Sequence, residues 1–186
     1  YGYGKVYGLD IGQSYLWELD PKTNTISSHE IPLRGAPGRD PERAGRIQGL
    51  TSSHNPMLDD KGNVWITTKV RDAKDTPKWA ADRTVDIANA SGKANLSDRD
   101  LRSSRQLGYY STSQDRFVLI DTAFATHHLQ FDRDGRLWTS GDNTRLGMLE
   151  PSKLDPNKPE DTEMKAQTGW ADINPETGKS AMGGGY

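Results

Sequence analysis

Three histidines are the side chains of this sequence whose type and spacing could do chemistry. His127 and His128 are adjacent and stand at the start of a short strand pattern, and His54 stands at the start of a similar pattern. Imidazole exchanges protons near neutral pH and also binds divalent metals. We therefore take His54, His127 and His128 as candidate catalytic residues, with His54 and His128 as candidate metal ligands. The alternative is a structural role, in which each histidine hydrogen-bonds to the backbone and spaces adjacent units.

Four further polar residues follow strand patterns and are candidate ligand-binding residues. Lys69 and Arg71 come soon after the strand pattern of residues 64–68, where they could receive an anionic ligand. Asp142 and Asn143 follow the equivalent strand pattern and could coordinate a cation through oxygen. A solvated salt-bridge cluster is the alternative for the first pair, and a turn cap is the alternative for the second.

The histidines belong to a sequence repeat. The segment HNPMLDDKGNVWITT from His54 aligns without gaps with HHLQFDRDGRLWTSG from His127, with shared His, Asp, Gly and Trp. Each copy predicts a strand, an Asp-x-x-Gly turn and a second strand that carries the tryptophan. The turn requires a residue with positive φ, which Gly62 and Gly135 would supply. A truncated third copy, GKVYGL, begins at Gly4.

Each copy is followed by another strand, turn and strand. The segments SYLWELDPKTNTISSHEIP and LGYYSTSQDRFVLID both have this pattern. Four short strands per unit predict an all-β chain, a segment of a β-propeller with four-stranded antiparallel blades, and a β-sandwich is the alternative. We expect about three blades: a truncated blade in residues 1–33, a blade in 47–122, and a blade with a trailing segment in 123–186.

A charged insertion at residues 69–105 interrupts the second blade. It contains few apolar side chains, and Ser97 and Asp100 have the spacing of a helix capping box, which predicts a short helix there. The insertion is either a solvated excursion or a lid over one end of the propeller channel.

Composition excludes several classes of protein. The net charge is −2, without the basic excess of a nucleic-acid-binding surface. No apolar run reaches the roughly 20 residues of a transmembrane helix. The absence of cysteine excludes disulfides, thiolate metal sites and cysteine nucleophiles. A propeller closes with about four to eight blades, so we expect a longer chain or another protomer to supply the rest of the ring.

The repeated motifs resemble those of a known family. The patterns are D-x-x-G-x-[VL]-W, as in DDKGNVW and DRDGRLW, and [LI]-x-x-[LI]-[DE]-P-x-[TK], as in YLWELDPKT. They resemble the virginiamycin B lyase (streptogramin lyase) and NHL-like β-propellers, and the propeller regions of long exported bacterial proteins. The resemblance implies export to the periplasm or cell exterior, and a magnesium-assisted elimination with a histidine as general base. The glutamates that follow tryptophan in lyase repeats are absent here.

Two hypotheses about function follow. The first is a streptogramin-lyase-like propeller, with a metal-assisted lyase site for a small molecule in its channel, where we expect His54 and either His127 or His128 to converge from consecutive blades. The second is a non-catalytic propeller scaffold that binds a ligand or a protein partner. Fold alone does not decide between them, because propellers host both kinds of function.

Overall fold

The computed structural model describes residues 4–34, 51–92, 105–140, 144–174 and 177–184. Within these residues the chain is mostly β, with twelve strands, two α-helices and three antiparallel sheets. The sheets have three, four and five strands and none of them closes into a barrel. The short helix expected at Ser97 and Asp100 lies outside the described residues.

Each sheet is a meander, in which strands that follow one another in the chain are neighbours. The first sheet contains β1 (Val6–Asp10), β2 (Tyr15–Asp20) and β3 (Thr25–Glu30). The middle sheet contains β4 (His54–Leu58), β5 (Val64–Thr68), β6 (Gln106–Ser111) and β7 (Arg116–Ile120). The third sheet contains β8 (His128–Phe131), β9 (Leu137–Ser140), β10 (Arg145–Leu149), β11 (Gly169–Ile173) and β12 (Ser180–Gly184).

Two helices correct the all-β prediction. Helix α1 (Lys78–Ala90) lies between β5 and β6, inside the charged insertion, and contacts β11 and β12 of the third sheet. Helix α2 (Pro159–Ala166) lies between β10 and β11 and packs on β7. No helix among the described residues is both long and apolar enough to cross a membrane.

The predicted hairpins are confirmed, and the structure explains why the two copies share their Asp, Gly and Trp residues. Gly62 and Gly135 have φ of 83° and 75°, as the turn requires. The indole Nε1–H of Trp65 donates to Oδ2 of Asp59 at 2.9 Å. In the second copy, Trp138 Nε1–H donates to Asp132 Oδ2, also at 2.9 Å. The spacing of aspartate and tryptophan that the two copies share therefore stabilises the hairpin.

The middle sheet is buried on both faces, because its side chains alternate between two neighbours. Every residue of β5 and β6 is buried. On one face, Val64, Ile66 and Tyr110 pack with Leu16 and Ile31 from the first sheet and the segment after it. On the opposite face, the core joins the middle sheet to the third sheet; its buried members include Trp65, Leu107, Tyr109, Val118, Ile120, Leu129, Leu137 and Leu149. The sheets thus form a stack.

Candidate functional site

Strand packing brings the three candidate histidines together. Strand β4, which begins at His54, contacts β8, which begins at His128. The ring centroids of His54 and His127 lie 4.6 Å apart, with the rings nearly perpendicular at 74°. The centroids of His127 and His128 lie 4.4 Å apart. We call these three residues the histidine cluster; it joins the middle and third sheets at the start of their first strands.

Backbone contacts fix the position of the cluster. The register of β4 shifts between His54 and Met57, and Asn55 has a φ of 56°, so the strand bulges beside the first histidine. The amide of Asn55 donates from Nδ2 to the carbonyl of Leu129 at 3.0 Å. The hydroxyl of Thr67 donates to the carbonyl of His127 at 2.9 Å. Side chains of the middle sheet therefore hold the backbone of β8 in place.

Exposure differs among the clustered rings. His54 and His127 are partly buried, and His128 is exposed. Leu129, the next residue on the His127 side of β8, is buried against the middle sheet, whereas Gln130 on the His128 side is exposed. Strand alternation predicts this division. Of the three rings, that of His128 is therefore the most open to solvent.

The cluster does not fit a ready-made metal cage. In the parts of the chain that the structure describes, no group of three or more His, Asp or Glu side chains is placed to hold a metal ion. Asp142 and Asn143, the candidate oxygen ligands, lie outside the described residues. We therefore assign no chemical step to a metal.

The structure places Lys69 and Arg71 in ion pairs. Lys69 Nζ lies 2.7 Å from Oδ1 of Asp72, at the surface. Arg71 is buried and donates from Nε and Nη2 to the two carboxylate oxygens of Asp121, at 2.5 and 2.8 Å. It also donates from Nη1 to Oγ1 of Thr76 at 2.7 Å. Lys69 thus forms the solvated ion pair that the sequence offered as the alternative to ligand binding, whereas the ion pair of Arg71 is buried.

A second ion pair adjoins the first and was missed from the sequence. Arg34 donates to both carboxylate oxygens of Glu163 at 3.1 and 2.6 Å, and one of these oxygens accepts the backbone N–H of Asp121 at 2.7 Å. Burial raises the pKa of Glu163, although the Arg34 guanidinium opposes the shift. We call Arg34, Arg71, Asp121 and Glu163 the ionic clamp.

The ionic clamp forms one wall of a pocket of about 550 Å³. The rest of the lining includes Lys74, Pro77, Trp79 and Glu160. The clamp residues hydrogen-bond to one another across this wall, so their charges are compensated within the protein. They come from separate places in the chain, and no local spacing signals their meeting.

Another pocket, of about 710 Å³, lies between the two repeated hairpins. Asp59 and Asp132 line it, but both carboxylates already accept hydrogen bonds from their own turn and tryptophan. Donation by the Trp138 indole is the main cause of the lowered pKa of Asp132. These acids stabilise the hairpins, and we do not assign them to a ligand.

Comparisons with known proteins give little further information. No protein-family model matches the chain, and no curated protein matches it. One solved structure with some similarity is a luciferin-regenerating enzyme, with a TM-score of 0.33 and 10% sequence identity. The similarity covers 97% of this chain but 56% of that protein, so the chain spans little more than half its length.

Proposed function

We propose that the chain supplies consecutive blades of a β-propeller and that the histidine cluster is a ligand site at one end of its channel. Support comes from the stack of meander sheets, in which β4 contacts β1 on one side and β8 on the other. Blades that pack face to face around a channel have this arrangement. The repeated hairpin, with the same aspartate–tryptophan hydrogen bond in two sheets, adds to the support.

The reaction class that we propose is an elimination on a small molecule. One imidazole of the cluster removes a proton from carbon, and a double bond forms as the bond to the leaving group breaks. A second imidazole returns a proton to the leaving group, so that the charges balance. The observation that carries this proposal is the contact of His127 with both other histidines, at centroid distances of 4.6 and 4.4 Å.

The experiment is an assay of the purified chain with virginiamycin B as the probe, with and without Mg²⁺. Loss of the compound is followed by chromatography, and binding is followed by calorimetry. We expect His127→Gln to reduce both turnover and binding at least tenfold. Gln130→Ala is the matched control, because Gln130 is exposed on the same strand two residues beyond the cluster. No turnover by the wild type, or equal turnover by His127→Gln, would refute the lyase proposal.

A non-catalytic scaffold is the second candidate, and a specific observation favours it. Asn55 and Thr67 of the middle sheet each hydrogen-bond to a backbone carbonyl at the start of β8, so this place also joins two sheets. If the histidines only complete that junction, His127→Gln lowers the free energy of unfolding and leaves ligand binding unchanged. Urea unfolding of the same variants, beside the calorimetry, separates the two candidates.

A further inference from the structure

The first sheet leaves one apolar face exposed. The exposed fractions are 57% for Val6, 39% for Trp17 and 66% for Ile26. Together with Gly8 and Leu19, these residues line a groove of about 440 Å³. The opposite face packs on the middle sheet through Leu16, which is fully buried. An apolar surface of this kind commonly marks an interaction site.

Strand register shows what covers the equivalent face elsewhere in the chain. The turn glycines Gly4 and Gly62 are equivalent in the repeat. Cross-strand partners then place Val6, Leu19 and Ile26 of the first sheet in the same row as Val64, Tyr110 and Phe117 of the middle sheet. In the middle sheet this row packs against another sheet. The exposed face of the first sheet is therefore built to receive a sheet.

The third sheet exposes the complementary face. Leu146 is 37% exposed and Met182 is 83% exposed, and both are cross-strand partners of Ala171. Trp138 and Met148 pair with each other on this same face. Trp138 is equivalent in the repeat to Trp65. Trp65 lies on the face of the middle sheet that packs against the third sheet. The outer face of the third sheet is thus equivalent to the face of the middle sheet that packs against a neighbouring sheet.

We propose that the exposed face of the first sheet docks on the exposed face of the third sheet in a second copy of this chain. The contact repeats, between chains, the packing that already joins adjacent sheets within the chain. It is head to tail, and such contacts form closed rings where the rotation permits. The inference rests on the proposed propeller, because two copies would bring six sheets into a ring of the usual four to eight blades.

The test is the molar mass of the folded polypeptide comprising residues 1–186, measured by light scattering after size exclusion. We expect twice the chain mass of 20.6 kDa. Ile26→Lys alters the face of the first sheet and Leu146→Lys alters that of the third sheet, and each variant should run at the mass of one chain. The control is Val85→Lys, since Val85 is 39% exposed on α1, which meets the third sheet through Arg145 and Asp172 on the side opposite Leu146, and this variant should keep the double mass. Circular dichroism checks that each variant is folded.

Mixing the two altered chains tests the head-to-tail geometry. Ile26→Lys retains its third-sheet face and Leu146→Lys retains its first-sheet face, so the mixture should form a heterodimer. A wild type at the mass of one chain, a dimeric Leu146→Lys, or a mixture without heterodimer would each overturn the inference. These masses do not depend on ligand binding. A dimer that binds no ligand at the histidine cluster would therefore refute the proposed ligand site and leave the docking of two copies intact.

Discussion

Single buried charges in this chain are stabilised by partners from distant elements. Arg34 follows β3, Glu163 lies in α2, and Asp121 follows β7. Their hydrogen bonds leave the clamp satisfied, whereas removal of one member would leave an opposite charge buried. A substitution should therefore lower the free energy of unfolding most at a residue whose ionic partner is most buried.

Arg34→Met should destabilise the protein at neutral pH. It removes the cation that faces the carboxylate of Glu163, whose side chain is 2% exposed. We expect a loss of about 3 kcal/mol in the free energy of unfolding. Burial without the guanidinium raises the pKa of Glu163 further above 4.5, so the deficit should shrink as pH falls and the group is protonated.

Urea unfolding of this variant at several pH values measures both effects. Glu160→Gln is the control, because Glu160 also faces Arg34, at 3.4 Å from its Nε, but its side chain is 70% exposed. We expect that control to change the unfolding free energy by less than about 0.5 kcal/mol. A deficit of Arg34→Met that grew as pH fell would contradict the assigned role of Glu163.

Asp132 should make stability depend on pH in the opposite direction. Hydrogen bonds from Trp138 and Arg136 lower its pKa in the folded protein below 3.8. Its contribution is therefore present above pH 3.8 and is lost as pH falls toward the folded pKa. Asp132→Asn should flatten the acid side of a plot of unfolding free energy against pH, measured between about pH 6 and 2. An acid slope equally steep in Asp132→Asn and in the wild type would contradict this role of Asp132.

Residue types in the repeat predicted the histidine cluster, but they could not predict the ionic clamp. His54 and His127 occupy equivalent places in neighbouring repeat units, so packing of the units brings them together. Arg34 and Glu163 have no such relation. Their meeting depends on how the segment after β3 and helix α2 cross the end of the middle sheet, which sequence spacing does not determine.

Among the elements, the strands were easier to predict than the helices. Strand pairs such as β6 and β7 have alternating or continuous apolar residues on either side of a turn. Helix α1 buries Ala80, Thr84, Ile87 and Ala88, a helical spacing made mostly of small residues. A search for large apolar side chains overlooks that face, so the sequence alone leaves the insertion open between an excursion and a lid.

The packing of β10 on the segment after β7 depends on a glycine. A Cβ built at Gly147 would overlap the ring of Phe124, which is 2% exposed and cannot swing into solvent. Gly147→Ala should therefore lower the free energy of unfolding by about 1–3 kcal/mol. In a Phe124→Leu background, Gly147→Ala should lower the free energy of unfolding by a smaller amount, because the aromatic ring is absent. Losses that simply add in the double variant would show that the two residues do not clash.

For the molecule as a whole, stability is distributed unevenly along the stack. Each sheet packs mainly on its neighbours, so the middle sheet has two apolar contact faces and the outer sheets have one each. In such stacks, local opening begins at the ends, where fewer contacts must be broken. The position of each sheet in the stack therefore predicts how fast its backbone amide hydrogens exchange with solvent.

Hydrogen exchange should be slowest in β5 and β6, where every residue is buried, and fastest in β3, where none is. Amide protection followed by mass spectrometry measures this gradient. The Leu146→Lys variant, which we expect to be monomeric, is the reference, because its substitution lies outside β3 and docking of a second copy on the first sheet would slow exchange in β3 of the wild type. Equal protection of β3 and β5 in the variant would contradict the gradient and show that the stack unfolds as a single cooperative unit.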